Sequence, residues 1–348
     1  MMLSKLTNKD ELEAVAASRI SKQTAANNQW ALNRYNLWAQ ARNAITDDHQ
    51  EHVPTNFLRL EPPRYNWVLS RFIKESTDAS GSTYSFSTLY QLIAALNRTV
   101  KEIHPGMDLL SSPTFRQFRN VADGIIKQRQ TEDSSQRRKV STIGYNEENK
   151  LWDSAFILTD AHGLQAAMIY CTQKAFGLRA QTELYNFSLD QLKVVPAGKG
   201  PGDRIFSVTF CEKFSKNYAP GLKGVSSKKR VVEFQEDSED PRSFLHVISL
   251  YLTRCPPAIQ GGAAPFFQHV NHNWKSEEFW YGQRSRIGVN YFPKIMKTAY
   301  DKAGLEGDYT LRSVRAGVVQ ELVEMGLEDE GRCFTLITLY SSIFHNFL

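Results

Sequence analysis

The feature that most constrains the fold is a polar break that begins near residue 129. Between Arg129 and Ser141 hydrophobicity collapses, whereas apolar residues recur at helical spacing on both sides. A chain of 348 residues also exceeds the roughly 250 residues at which a single core stops growing. The break therefore predicts a solvated linker, over 131–143, between two domains. Its basic run Arg137-Arg138-Lys139 is equally compatible with a localisation patch or with a strand of phosphate contacts.

The residues before the break predict a polar arm over 1–23 and an all-helical domain over 24–130. Trp30 and Trp38 fall on the apolar side of a first helix, and Tyr65–Lys74 forms a second. The strongest helix follows a serine cap at Ser85 or Ser87, and its apolar stripe is Leu89, Leu92, Ile93, Leu96 and Val100. A fourth helix, 112–128, carries three basic residues around its apolar face: Arg116, Arg119 and Lys127.

The residues after the break predict a mixed domain over 144–326, followed by a divergent tail over 327–348. Asn146 caps its first helix, and two alternating stretches, Arg204–Phe210 and Arg230–Phe234, read as strands of a hairpin. The segments 261–272 and 279–286 have no clear period, and Thr310 caps a late helix. The fold class is therefore mainly α with a small β-sheet or hairpin (α+β). The connection within the hairpin is basic: Lys216, Lys223, Lys228 and Lys229.

Two stretches of the second domain place arginines where they suit phosphate binding. Arg179 follows a glycine after an apolar segment, in Phe176-Gly177-Leu178-Arg179. A guanidinium keeps its charge in a partly dry site and fits two oxygens of one phosphate. The alternative is an ion pair with Glu183, four residues on. Arg312 and Arg315 lie near the start of the helix that Thr310 caps, where free N–H groups add positive potential.

The order of these stretches resembles the tyrosine recombinase, or phage-integrase-like, family. The resemblance rests on Phe176–Arg179 with Glu183, then Ser215-Lys216-Asn217, Cys255-Pro256-Pro257 and Tyr309–Ala316. It is nearest to the eukaryotic Crypton-derived branch, which includes the recombinase-like domains of zinc-finger MYM-type and glutamine-rich nuclear proteins. The resemblance implies a helical core-binding (SAM-like) domain that clamps duplex DNA, a recombinase-like catalytic domain, and a location in the nucleus.

The resemblance also implies roles for individual residues. Arg179 and Arg315 would bind the scissile phosphate, and Lys216 would protonate the leaving oxygen. Arg312 stands where the family places histidine, and a guanidinium binds phosphate without shuttling protons. The family's nucleophilic tyrosine has no clear counterpart. Tyr340 is the tyrosine of the tail, and its surroundings lack the family's pattern. The plain alternatives are a core ion pair for Arg179, a surface charge for Arg315 and a hairpin tip for Lys216.

Composition excludes several other classes. The four cysteines are scattered without zinc spacing, and His269 and His272 lack nearby ligands, so neither a metal nor another cofactor is expected. The first residues are too polar for a signal peptide, and no apolar run approaches the ~20 residues of a membrane span. The net charge of +5 permits a polyanionic partner without requiring one.

These observations favour a recombinase-derived protein that binds double-stranded DNA without strand transfer. The DNA-binding candidates are Arg116, Arg119, Lys127, Lys223, Lys228 and Lys229. Self-association through the C-terminal tail is a further expectation. The alternatives are an active Crypton-like recombinase, which uses Tyr340 or a longer C-terminus, and a nuclear scaffold for protein interactions.

Overall fold

The structure is a computed structural model that describes residues 8–47, 49–134, 140–178, 181–196, 205–211, 231–235, 240–260 and 265–324. It is mainly helical with small antiparallel sheets, as the sequence predicts. The chain divides into two compact units, 1–137 and 138–348, so the division falls inside the predicted linker. None of the described helices is both long and apolar enough to cross a membrane.

The described part of the first unit contains five α-helices: α1 (Lys9–Ser18), α2 (Lys22–Ile45), α3 (Pro62–Glu75), α4 (Phe86–Ile103) and α5 (Arg116–Ser134). The predicted apolar stripe of α4 is confirmed, because all five of its residues are buried and Ser85 caps the helix by accepting from the Thr88 amide. Helix α3 packs against α5, and α4 packs against α2 and α5. Eight described aromatic side chains are buried in the core between them: Tyr35, Trp38, Phe57, Tyr65, Phe72, Tyr84, Phe115 and Phe118.

The second unit is built around one buried helix, α7. Its described helices are α6 (Tyr145–Ser154), α7 (Ala161–Phe176), α8 (Thr182–Tyr185), α9 (Phe244–Thr253), α10 (Pro257–Gln260), α11 (Phe292–Lys302) and α12 (Leu311–Glu324). Helix α7 is buried on nearly every side because α9, α11 and α12 all pack against it. Its N-cap residue is Asp160, whose carboxylate accepts from the Gly163 amide. It ends at Gly177, which adopts a left-handed conformation with φ of 53°.

Two small antiparallel sheets complete the second unit. One contains β1 (Leu192–Pro196), β2 (Ile205–Cys211) and β3 (Val231–Gln235) in that order, so the predicted hairpin is confirmed as β2 and β3. The other pairs β4 (Gln268–Val270) with β5 (Tyr281–Arg286). The end of α7 joins the first sheet through stacked rings, since Phe176 lies 4.5 Å from Phe210 and 6.0 Å from Phe187 between ring centroids.

Three local predictions differ from the structure. Helix α5 continues to Ser134, into the predicted linker. Its last turns have no apolar residues, and side-chain contacts such as Arg129 with Glu132 stabilise them instead. Helix α6 is capped at Gly144, where the Glu147 carboxylate accepts from the Gly144 amide, and not at Asn146. The segments predicted to be irregular contain β4 and β5, whose pairing is too short for a visible sequence period.

Candidate nucleic-acid interface

Among the residues that the structure describes, we consider two cationic surfaces, one in each unit. The surface in the second unit is the start of α12, which carries Arg312 and Arg315. Thr310 and Ser313 form a reciprocal cap: the Thr310 hydroxyl accepts from the Arg312 amide at 3.1 Å, and the Ser313 hydroxyl accepts from the Thr310 amide at 2.9 Å. Arg312 is exposed and Arg315 is half-buried. Since they are three residues apart on a helix, the two guanidinium groups lie on neighbouring parts of one face.

Helix α7 supports the start of α12 from behind. Gln173 of α7 is fully buried, and its Nε2 donates to the carbonyl of Leu311 at 3.2 Å. Its Oε1 is buried without a hydrogen-bond partner among the described residues. The side-chain amide of Gln173 therefore fixes the first turn of α12 against α7, and its Oε1 remains an unused acceptor among the described residues.

A charged cluster beside Gln173 joins three helices. The Nζ of Lys174 lies 2.5 Å from the Glu148 carboxylate of α6, and Trp152 Nε1 donates to the same carboxylate at 3.4 Å. Burial alone lowers the pKa of Lys174, but Glu148 and Glu321 beside it hold that pKa above its ordinary value. Lys174 is therefore a charged tie between α6, α7 and α12, the helix that carries Glu321.

Six of the residues singled out from the sequence lie outside the described part of the chain: Arg179, Lys216, Lys223, Lys228, Lys229 and Tyr340. The structure describes Leu178, directly before Arg179, and Gln181, two residues after it. Leu178 is buried directly after the left-handed Gly177, and Gln181 has φ of 64°, the one positive φ among the described non-glycine residues. A non-glycine residue in that region stores backbone strain, which is common at functional sites.

The three basic residues predicted on α5 have different environments. Arg116 is exposed and belongs to none of the ion pairs found among the described residues. Arg119 is half-buried, and its Nη1 donates to the Ser112 carbonyl at 2.5 Å, so it braces the turn before α5. Lys127 pairs with Asp123 at 2.7 Å. Of the three, Arg116 is the one that the structure leaves most available to an anion.

A stronger basic surface lies on α3, and the sequence analysis did not identify it. We call it the α3 stripe; its members are Arg64, Trp67, Arg71 and Lys74. These residues recur at intervals of three and four, so they share one helix face. Arg64 and Lys74 are exposed, and Arg71 and Trp67 are half-buried. The sequence contains a signal for it, because the basic residues of α3 recur at helical spacing on the side opposite its buried residues.

The cations of the α3 stripe have no carboxylate partner among the described residues. The acidic residue of α3, Glu75, is instead bonded by Arg42 of α2 at 2.7 Å and by Trp38 Nε1 at 3.0 Å. The Arg71 guanidinium lies 4.0 Å from the centre of the Trp67 ring, which restricts where it points. The stripe therefore keeps its positive charge, and the Trp67 ring restricts the position of one of its cations, Arg71.

The described residues contain no group of three His, Cys, Asp or Glu side chains that would hold a metal ion. Comparison with known proteins adds no family: neither the protein-family models nor the curated proteins include a match to this chain.

Proposed function

We propose that this chain binds duplex DNA with little sequence preference, through the α3 stripe of the first unit and through Arg312 and Arg315 of the second. We further propose that it derives from a tyrosine recombinase of the Crypton-like branch, acts in the nucleus and does not carry out strand transfer. The order of motifs in the sequence supports the origin, and the two cationic surfaces support the partner.

The α3 stripe is the observation that carries the proposal. From Arg64 to Lys74 the helix rises roughly 15 Å, a length that matches about four phosphates of one DNA strand along the duplex axis. Three cations that form no ion pair with another described residue repel one another over that length, and a polyanion would relieve the cost to the fold. Arginine and lysine bind DNA phosphates and can also bind guanine edges, whereas the stripe has no amide or carboxylate with which to read adenine or cytosine; this composition is compatible with binding of little sequence preference.

The chemistry at α12 supports binding over catalysis. The side chains at both positions of the helix are guanidinium groups, which stay protonated and stabilise negative oxygens. Proton transfer to a leaving oxygen needs a group whose pKa lies nearer neutrality. A site with Arg312 in place of a histidine therefore retains its affinity for a phosphodiester and loses one route for moving a proton.

The proposal is tested by measuring binding of a fluorescent duplex by anisotropy at several salt concentrations. The wild-type protein should show affinity that falls steeply with salt. A variant with Arg64→Gln, Arg71→Gln and Lys74→Gln should bind more weakly. Its slope of log affinity against log salt should be shallower by up to ~2.7 units, about 0.9 for each lost phosphate contact.

A matched control removes three other exposed cations of the first unit, in Lys9→Gln, Arg19→Gln and Lys22→Gln. The control has the same net charge as the α3 variant, so it isolates position from charge. If both variants lose the same slope, binding depends on overall charge and the α3 stripe is not the contact. If the wild-type protein does not bind duplex at low salt, DNA is not the partner and the scaffold alternative gains.

A further inference from the structure

The first described residues of the second unit, 140–143, lie along α12; we call this segment the strap. The Ser141 amide donates to the Asp308 carbonyl at 3.1 Å, and the Ile143 amide donates to the Ser313 carbonyl at 3.3 Å. The Thr142 hydroxyl donates to Gln320 Oε1 at 2.9 Å. Ile143 is 3% exposed and belongs to the core of the second unit. A segment that the sequence predicts as linker is therefore fastened to the helix that carries the two arginines.

A glycine of α12 makes this close approach possible. At Gly317 a Cβ atom would overlap the Ile143 carbonyl oxygen and lie 3.0 Å from its carbonyl carbon. Both atoms belong to the backbone, so a side chain at this position cannot be accommodated by a change of rotamer. Any larger residue at Gly317 must displace the strap or the helix.

The strap contacts one face of α12, and the arginines lie on another. Ser313, Gly317 and Gln320 follow one another at intervals of four and three, which places them in one row along the helix. Arg315 is two residues from Gly317, about 200° around the helix axis. The strap therefore supports α12 from the side opposite Arg315, while Gln173 of α7 holds its first turn.

We propose that the strap is a positioning element for phosphate binding: it holds the start of α12 in the orientation in which Arg312 and Arg315 reach the DNA backbone. The inference rests on the proposed function, because the arginines are taken as phosphate contacts. Tight docking of the strap against α12 fixes that helix in one position, and preorganised guanidinium groups bind an anion without the cost of ordering them. Release of the strap leaves the arginines present but less well aimed.

The test uses the full chain and the variant Gly317→Ala. Alanine favours the helix by up to ~1 kcal/mol over glycine, so α12 itself is strengthened and the strap is the part expected to move. The matched control is Gly124→Ala on α5, where a Cβ meets nothing within 4 Å. Release is measured as faster trypsin cleavage after Lys139 in Gly317→Ala than in the control. Unchanged cleavage contradicts the tight contact and therefore the proposal.

The link to the arginines is tested by a double-mutant cycle on duplex affinity. Gly317→Ala should reduce the salt slope by up to ~1.8 units, about 0.9 for each of two phosphate contacts. In a background with Arg312→Gln and Arg315→Gln it should have no further effect, because the strap then has nothing to position. A merely structural role would weaken binding equally in both backgrounds.

The failures are distinguishable. If the wild-type protein binds duplex and Gly317→Ala releases the strap without a change in affinity, the positioning role is wrong and the proposed function stands. If the wild-type protein does not bind duplex, both fall. Where Gly317→Ala does not fold, as judged by thermal unfolding, Thr142→Val replaces it, since that change removes the Thr142–Gln320 bond and should show the same pattern with a smaller loss.

Discussion

Replacing Arg42 by methionine should lower the free energy of unfolding of the first unit by about 2 kcal/mol. The Arg42 side chain is 12% exposed, and its guanidinium bonds Glu75 and Glu51 at 2.7 Å each. Charge-assisted hydrogen bonds contribute about 1.5–3 kcal/mol when shielded from water. The two carboxylates are 37% and 46% exposed, so solvent screening reduces each contact to about 1 kcal/mol.

The assay is urea unfolding followed by tryptophan fluorescence, since Trp38 and Trp67 lie next to the network. Methionine keeps most of the apolar length of the side chain, so the loss reports on charge more than on packing. The control is Arg98→Met, because Arg98 is exposed and its Nε donates to the uncharged side chain of Asn28 at 2.9 Å, with no carboxylate partner among the described residues. That change should cost less than about 0.5 kcal/mol.

An equally small loss of unfolding free energy for Arg42→Met and Arg98→Met would contradict this prediction. The ion pairs of Arg42 with Glu75 and Glu51 would then be screened by solvent as fully as charges on the open surface. A second comparison checks the partner. Glu75→Gln should destabilise the wild-type protein more than it destabilises the Arg42→Met variant, since the two residues share the interaction.

Three further outcomes are expected. Lys101 bonds the Asp108 carboxylate and lowers its pKa, so the carboxylate stabilises the fold above its ordinary pKa of 3.8 and loses this contribution as pH falls through the lowered pKa. Asp108→Asn should therefore destabilise the protein at pH 7 and reach the same stability as wild type in acid. A difference in stability that is constant across pH contradicts this. Gly163→Ala should destabilise the second unit by about 1–3 kcal/mol in thermal unfolding, because its Cβ would lie 2.7 Å from the Ile157 amide nitrogen; unchanged stability would show that the approach is loose. Incubation with nicked suicide duplexes should give no DNA-linked protein after denaturation, because the proposed function is DNA binding without strand transfer; a band that disappears on Tyr340→Phe would establish the enzyme instead.

The sequence predicts those parts of the fold in which one local pattern decides the structure. Helix α4 combines a serine cap with an uninterrupted apolar stripe, so its bounds and buried face follow directly. The β2–β3 hairpin has strands that alternate, which is why it was predicted, whereas β4 and β5 pair over too few residues to leave a period. Patterns of this kind are visible because each depends on neighbours in the chain.

The features of the candidate site that were missed depend on contacts between distant residues. The basic face of α3 keeps its positive charge because the one carboxylate of that helix, Glu75, pairs with Arg42, 33 residues earlier in the chain. The spacing of residues within α3 does not show this pairing. Gly317 is an ordinary glycine in the sequence, and its role appears only when the strap lies against it. The polar run from Arg129 to Ser141 predicts a solvated linker that extends to residue 143, yet Ile143 is buried.

Contact between the α3 stripe and DNA is tested most directly by site-specific crosslinking. A photoreactive benzoylphenylalanine is introduced in place of Lys74 and, in a separate protein, in place of Lys22 as an exposed control in the same unit. Each protein is irradiated with a labelled duplex at low and at high salt. If the α3 stripe contacts DNA, position 74 should give a crosslink that high salt suppresses, and position 22 should give little or none. Equal crosslinking from both positions, or crosslinking from position 22 alone, would contradict it.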